Sequence, residues 1–114
     1  MPPQRMRRVD EALRAVLGDA VREDVKDPRV GFVTVTDVKT SPDLRRATVF
    51  VSVLGAEEER DATLAGLRSA HGVLQRRLAA ELHMKHTPTL EFAYDHGIDR
   101  AMRLAEILEE ERGA

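Results

Sequence analysis

The sequence has no cysteine and no tryptophan. Without thiols it can hold no disulfide framework, no cysteine-based zinc site and no iron–sulfur cluster, and it can run no thiol chemistry. Its serines are Ser41, Ser52 and Ser69, and none sits in a Gly-x-Ser-x-Gly turn. Its seven glycines are scattered along the chain, so no glycine-rich phosphate loop is expected. No catalytic residue and no cofactor can be assigned, and nothing supports an enzyme. Long hydrophobic stretches are missing too. The longest mainly apolar run, Ala47 to Ala56, is too short to span a bilayer. The charged start, Met1 to Asp10, is not followed by the apolar stretch of a secretory signal. A cytoplasmic protein without membrane contact is the expectation.

What is present fits one folded unit over residues 1–114. At 12.8 kDa, with 42% apolar and 33% charged residues, the chain can bury a single core and stay in solution. The net charge of −2 hides an uneven distribution. Residues 57–61 and 91–114 are acidic, whereas residues 62–90 carry four basic side chains against Glu81 alone. That stretch and the Arg5, Arg7, Arg8 cluster are the two places where an anion fits, although a solvated helix face explains most such clusters.

Periodicity changes along the chain. Met6, Val9, Leu13, Val16, Leu17, Ala20 and Val21 recur at helical spacing and predict an amphipathic helix from Arg5 to about Asp24. Lys26-Asp27-Pro28-Arg29 ends it. Val30–Val38 is rich in β-branched residues and predicts a strand. A turn at Thr40–Asp43 leads to a second strand, Arg45–Leu54, whose face Ala47, Val49, Val51 and Val53 is apolar, so the two strands predict an antiparallel hairpin. Helical spacing returns from Ala62 and continues through Val73, Leu74, Leu78 and Leu82, with Gly72 as the interruption. Pro88 stops this segment. Thr89–Asp95 alternates as a third strand, and Ile98 to about Glu111 predicts a closing helix. The order is αββααβα, an α+β fold with three strands in one mixed sheet.

The aromatic side chains Phe32, Phe50, Phe92 and Tyr94 all fall on the expected strands. Phe92 and Tyr94 share a side with Leu90 and predict core positions. Phe50 lies opposite the valine face, where covering the sheet explains it better than stacking on a base. His83 and His86 are three apart, but no third ligand stands at a fitting spacing, so no metal is assigned. Arg68, Gln75, Arg76, Arg77 and Lys85 flank the break at Ala70-His71-Gly72. A glycine admits a close backbone, the helix that follows offers free amides, and arginines a turn on can hold phosphates. A nucleic-acid backbone clamp and a packing glycine with solvated arginines remain open alternatives on these residues alone.

Several ordered motifs resemble one family. Lys26-Asp27-Pro28-Arg29 followed by Val33–Val38, then Ser41-Pro42-Asp43-Leu44, then Ala47–Gly55, then Pro88–Phe92 with Asp95, resemble ribosome-binding factor A from bacteria, from Arg5 to about Leu108. The order with a broken helix pair resembles the type II KH fold. The resemblance implies a small, non-enzymatic, monomeric cytoplasmic factor that binds the immature small (30S) ribosomal subunit and its 16S rRNA. It implies support for late maturation and processing of the 5′ end of that rRNA, above all in the cold. Ala70-His71-Gly72 matches the Ala-x-Gly break that stands in this family for the Gly-x-x-Gly loop of ordinary KH domains. By that likeness the RNA surface comprises Ala70, His71, Gly72, Arg76 and Arg77, with Arg68 and Lys85 flanking and Arg5, Arg7 and Arg8 adding phosphate contacts. Gln75 and Lys85 stand where the family commonly has arginine. The alternative is a protein-interaction module, in which Glu57–Asp61 and Glu106, Glu109, Glu110 and Glu111 engage basic ribosomal proteins or an assembly GTPase.

Overall fold

Helix α1 (Gln4–Glu23) forms because its apolar residues return every three or four positions and bury one stripe. Leu13, Val16, Leu17, Ala20 and Val21 are buried along that stripe. The opposite face carries the i,i+3 pairs Glu11–Arg14 and Asp19–Arg22. This is a computed structural model of the protein and describes residues 4–97 and 108–110. The closing helix expected from Ile98 lies outside the described residues apart from 108–110, which are helical.

Strand β1 (Val33–Thr40) and strand β2 (Arg46–Val53) form the expected antiparallel hairpin, with Val33 opposite Val53 and Thr40 opposite Ala47. The first strand begins three residues later than its β-branched run suggests, which leaves Phe32 outside the sheet and 83% exposed. A bulge between Val35 and Asp37 supplies the reason that simple alternation fails in β1. The extra residue keeps Val35 and Val38 both pointing into the core although they are three apart.

Helix α2 (Glu57–Ser69) and helix α3 (His71–Leu82) follow, then strand β3 (Thr89–Tyr94). α2 starts at Glu57, a turn and a half before the apolar spacing at Ala62 becomes visible, because Glu59 closes the first turn by accepting the Ala56 amide at 2.7 Å. β3 pairs with β2 in parallel, Arg46 beside Thr89 and Val51 beside Tyr94, so β2 is the central strand. α1 packs on β1 and α3, and α2 packs on β3. Leu13, Leu17, Val38, Val49, Val51, Leu67, Leu74 and Leu78 meet in the core with no exposed surface. Burying each such side chain contributes about 1.5–3 kcal/mol. Phe92 is buried as expected, whereas Tyr94 is only half-buried at the edge of the core, and Phe50 is half-buried on the face away from the valines. Among the described residues no helix is long and apolar enough to cross a membrane.

Candidate nucleic-acid interface

The helix pair is broken at a single residue. Ala70 (φ −88°, ψ 9°) closes α2 and opens α3, so the break falls two residues before the glycine that the sequence marks. Its amide donates to the carbonyls of Gly66 and Leu67, and its carbonyl accepts the amide of Leu74, each at 3.1 Å. The amides of His71, Gly72 and Val73 therefore stand at the start of a helix, where no carbonyl lies a turn back along α3. Gly72 is exposed in that first turn. A Cβ placed on it would meet nothing nearer than Nη1 of Arg76, at 3.9 Å. The backbone there is open to an incoming group and does not serve packing within the chain.

The break is fixed from both sides. On the α2 side, the loop between α1 and β1 folds back on itself. Asp27 accepts the Arg29 amide at 2.9 Å and its guanidinium at 2.7 Å, and Arg29 reaches Oγ of Ser69 at 3.0 Å. The Thr63 hydroxyl donates to the Arg29 carbonyl at 3.2 Å. The hydrogen bonds from Arg29 hold the Asp27 carboxyl at about 2, below the ordinary aspartate value. Gly66 allows this close approach, since a Cβ on it would lie 2.7 Å from Cγ2 of Val30. On the α3 side, Nε2 of His71 accepts the amide of Leu90 at 3.0 Å, and the Gln75 side chain donates to the Pro88 carbonyl at 2.9 Å.

These anchors sort the residues expected to bind RNA. Arg76 is exposed beside Gly72, and Arg68 is exposed on the last turn of α2, where it borders a crevice with Asp61 and Phe92; among the described residues neither has a carboxylate within ion-pair distance. The His71 ring is half-buried and turned to β3, so it supports the break from within. Arg77 is a correction. Its guanidinium lies among the carboxylates of Glu81 (2.6 Å), Glu23 (3.0 Å) and Asp24 (3.1 Å), with the side chain 20% exposed. Glu81 foremost, then Asp24 and Glu23, hold it still more firmly protonated than a free arginine. A guanidinium so matched joins α3 to the end of α1 and has no charge left for phosphate. Gln75 likewise has a structural task where arginine was expected.

A second basic group sits at the other end of α3, about 18 Å away for a helix of 12 residues. Arg8 borders a small apolar recess with Val9, Leu82 and Met84, which brings the first turns of α1 to the end of α3. Arg5, Arg7, Arg8 and Lys85 are all exposed there. Arg45, Arg46 and His86, none of them expected at an RNA surface, are exposed as well, with Arg45 paired to Asp43 at 4.0 Å. Arg45 and His86 line a crevice of about 660 Å³ between the hairpin turn and the loop leading to β3. Only the parallel register of Arg46 with Thr89 brings these residues together, and no local spacing announces it. His83 is the left-handed cap of α3 (φ 52°), not a ligand on a helix face. Among the described residues no group of three or more metal-binding side chains gathers.

A three-stranded mixed sheet with its helices set around a one-residue helix break defines a KH-like α+β domain. The sequence model of ribosome-binding factor A matches residues 5–108. The chain is 43% identical to ribosome-binding factor A of Thermomicrobium roseum over 95% of its own length and 84% of the relative's. Its fold is similar to the crystal structure of ribosome-binding factor A from Thermus thermophilus (TM-score 0.70, 28% identity, 78% of this chain and 93% of that one). It is also similar to the Thermus thermophilus factor fitted into the cryo-EM map of its complex with the 30S subunit (TM-score 0.63, 29% identity, 75% and 90% of the chains). The chain belongs to the ribosome-binding factor A family.

Proposed function

We propose that this chain is a non-enzymatic assembly factor that binds the immature small ribosomal subunit in the cytoplasm, as a monomer and without a cofactor. It touches 16S rRNA through the helix break and supports late maturation and processing of the 5′ end of that rRNA. The observation that carries this reading is the open backbone at Gly72 with the exposed Arg68 and Arg76 each four positions away, neither ion-paired among the described residues. Free amides at a helix start favour a phosphate, and guanidinium groups one turn away hold its neighbours. The basic end with Arg5, Arg7, Arg8 and Lys85 extends the same surface along α3. A relative of this fold has been fitted on the 30S subunit, which supports the choice of target.

Co-sedimentation with purified small subunits at rising salt tests it. Binding should weaken steeply with salt, because each neutralised phosphate releases counterions. Arg68→Glu with Arg76→Glu should abolish co-sedimentation while the melting temperature stays near that of the parent. Retained binding in this double variant would move the contact elsewhere.

A further inference from the structure

At the opposite end of the sheet, two large apolar side chains stand in solvent beside each other. Phe32 is 83% exposed and Leu54 is 80% exposed. They are joined across the hairpin, since the Leu54 amide donates to the Phe32 carbonyl at 3.2 Å. Both border a crevice of about 670 Å³ whose floor includes Val21, Val25 and Val30. An exposed aromatic–aliphatic pair over an apolar crevice is the pattern of an interaction site.

The charges beside it select the occupant. Glu57, Glu58 and Glu59 follow Leu54 within a few residues, at the start of α2. Gly55 (φ +136°) makes the turn that brings Glu59 back to cap the Ala56 amide. Glu57 and Glu58 are exposed and, among the described residues, make no ion pair. Arg22, the cation lining the crevice, is paired with Asp19 at 2.7 Å. Leu54 and Glu57 are three residues apart, so their Cα atoms lie within about 11 Å. RNA stacked on Phe32 would bring phosphates towards these carboxylates. A second copy of the chain would set the same acidic rims against each other.

We propose that the Phe32–Leu54 ridge with its Glu57–Glu58 rim docks a lysine- and arginine-rich protein segment that carries an apolar side chain. This surface is separate from the helix break. One molecule would then present two faces of opposite preference, the break for rRNA and the ridge for a basic polypeptide of the same particle.

The test replaces Phe32 with the photoreactive p-benzoylphenylalanine in the full chain. The protein is irradiated with purified small subunits and, in parallel, with the proteins extracted from those subunits free of rRNA. Adducts are mapped by mass spectrometry. The expected result is an adduct on a Lys/Arg-rich segment of a subunit protein in both samples. Glu57→Gln with Glu58→Gln, which spares the capping Glu59, should lower its yield about fivefold, the scale of a rim-charge effect. Leu54→Ser should lower it as well. An adduct on rRNA, between two copies or on a neutral or acidic segment would overturn the proposal, as would no adduct at all or yields that ignore these substitutions. Co-sedimentation of the same intact-subunit sample reports on the break separately, so the two readings fail independently.

Discussion

His71 and Leu90 are joined by a 3.0 Å hydrogen bond in which the Leu90 amide donates to the imidazole Nε2. The bond satisfies one amide on the edge of β3 that faces away from β2, and it pins the first residue of α3. Removing it leaves a buried residue's amide without its partner. His71→Leu should therefore cost about 1–2 kcal/mol in urea unfolding, and His71→Gln, which keeps an acceptor, should recover part of it. Equal stability of the leucine variant and the parent would mean that the contact does not hold the break.

Adjacent arginines on α3 should behave differently. Arg77→Gln strips one cation from Glu81, Glu23 and Asp24 and leaves three carboxylates facing one another. Its melting temperature should fall clearly below that of Arg76→Gln. Arg76→Gln should melt like the parent and bind small subunits more weakly. Thermal melts and co-sedimentation of the two single variants separate the roles, and the reverse pattern would refute them.

Gly72 offers a cleaner separation. Alanine there meets nothing nearer than Nη1 of Arg76, at 3.9 Å, in the free protein and favours the helix by up to about 1 kcal/mol. Gly72→Ala should therefore keep or raise the melting temperature. If a phosphate backbone approaches this turn, the added methyl group should still weaken subunit binding several-fold. A variant that is more stable and binds equally well would place the contact away from Gly72.

Acid unfolding should register Asp27. Its carboxyl titrates at about 2 in the folded chain, below its ordinary value of 3.8, because it is held by Arg29. A depressed folded value stabilises the fold above the unfolded value, and that contribution fades as pH falls through the folded one. Between about pH 4 and pH 2 the parent should lose stability more steeply than Asp27→Asn, which lacks this contribution at every pH. Parallel curves in that window would remove Asp27 from the acid response.

Much of the fold is legible from periodicity. α1, β2 and β3 each bury the face that their spacing predicts, because a one-sided apolar pattern leaves one orientation. β1 is less legible, since its β-branched run extends past the sheet to Phe32 and a bulge interrupts its alternation. Of the candidate site, the broken helix and the local basic charge of Arg68 and Arg76 are visible in the sequence. The tasks of Arg77, Gln75 and Gly66 could not. Apart from Glu81 one turn on from Arg77, their partners lie just after α1, before β3 and on the Arg29 loop, 53, 13 and 36 positions away in sequence. Charge at one position does not reveal whether a distant carboxylate neutralises it.

The parallel pairing of β2 with β3 sets an order of events for the growing chain. Thr40 and Ala47 can meet early, but Arg46 must wait for Thr89, after both intervening helices have been made. Closing that long loop is slow compared with forming the hairpin. The last strand also carries Leu90, which holds His71 at the break. A nascent chain that has not yet released β3 therefore lacks the finished elbow, which arrives late, with the completion of the sheet.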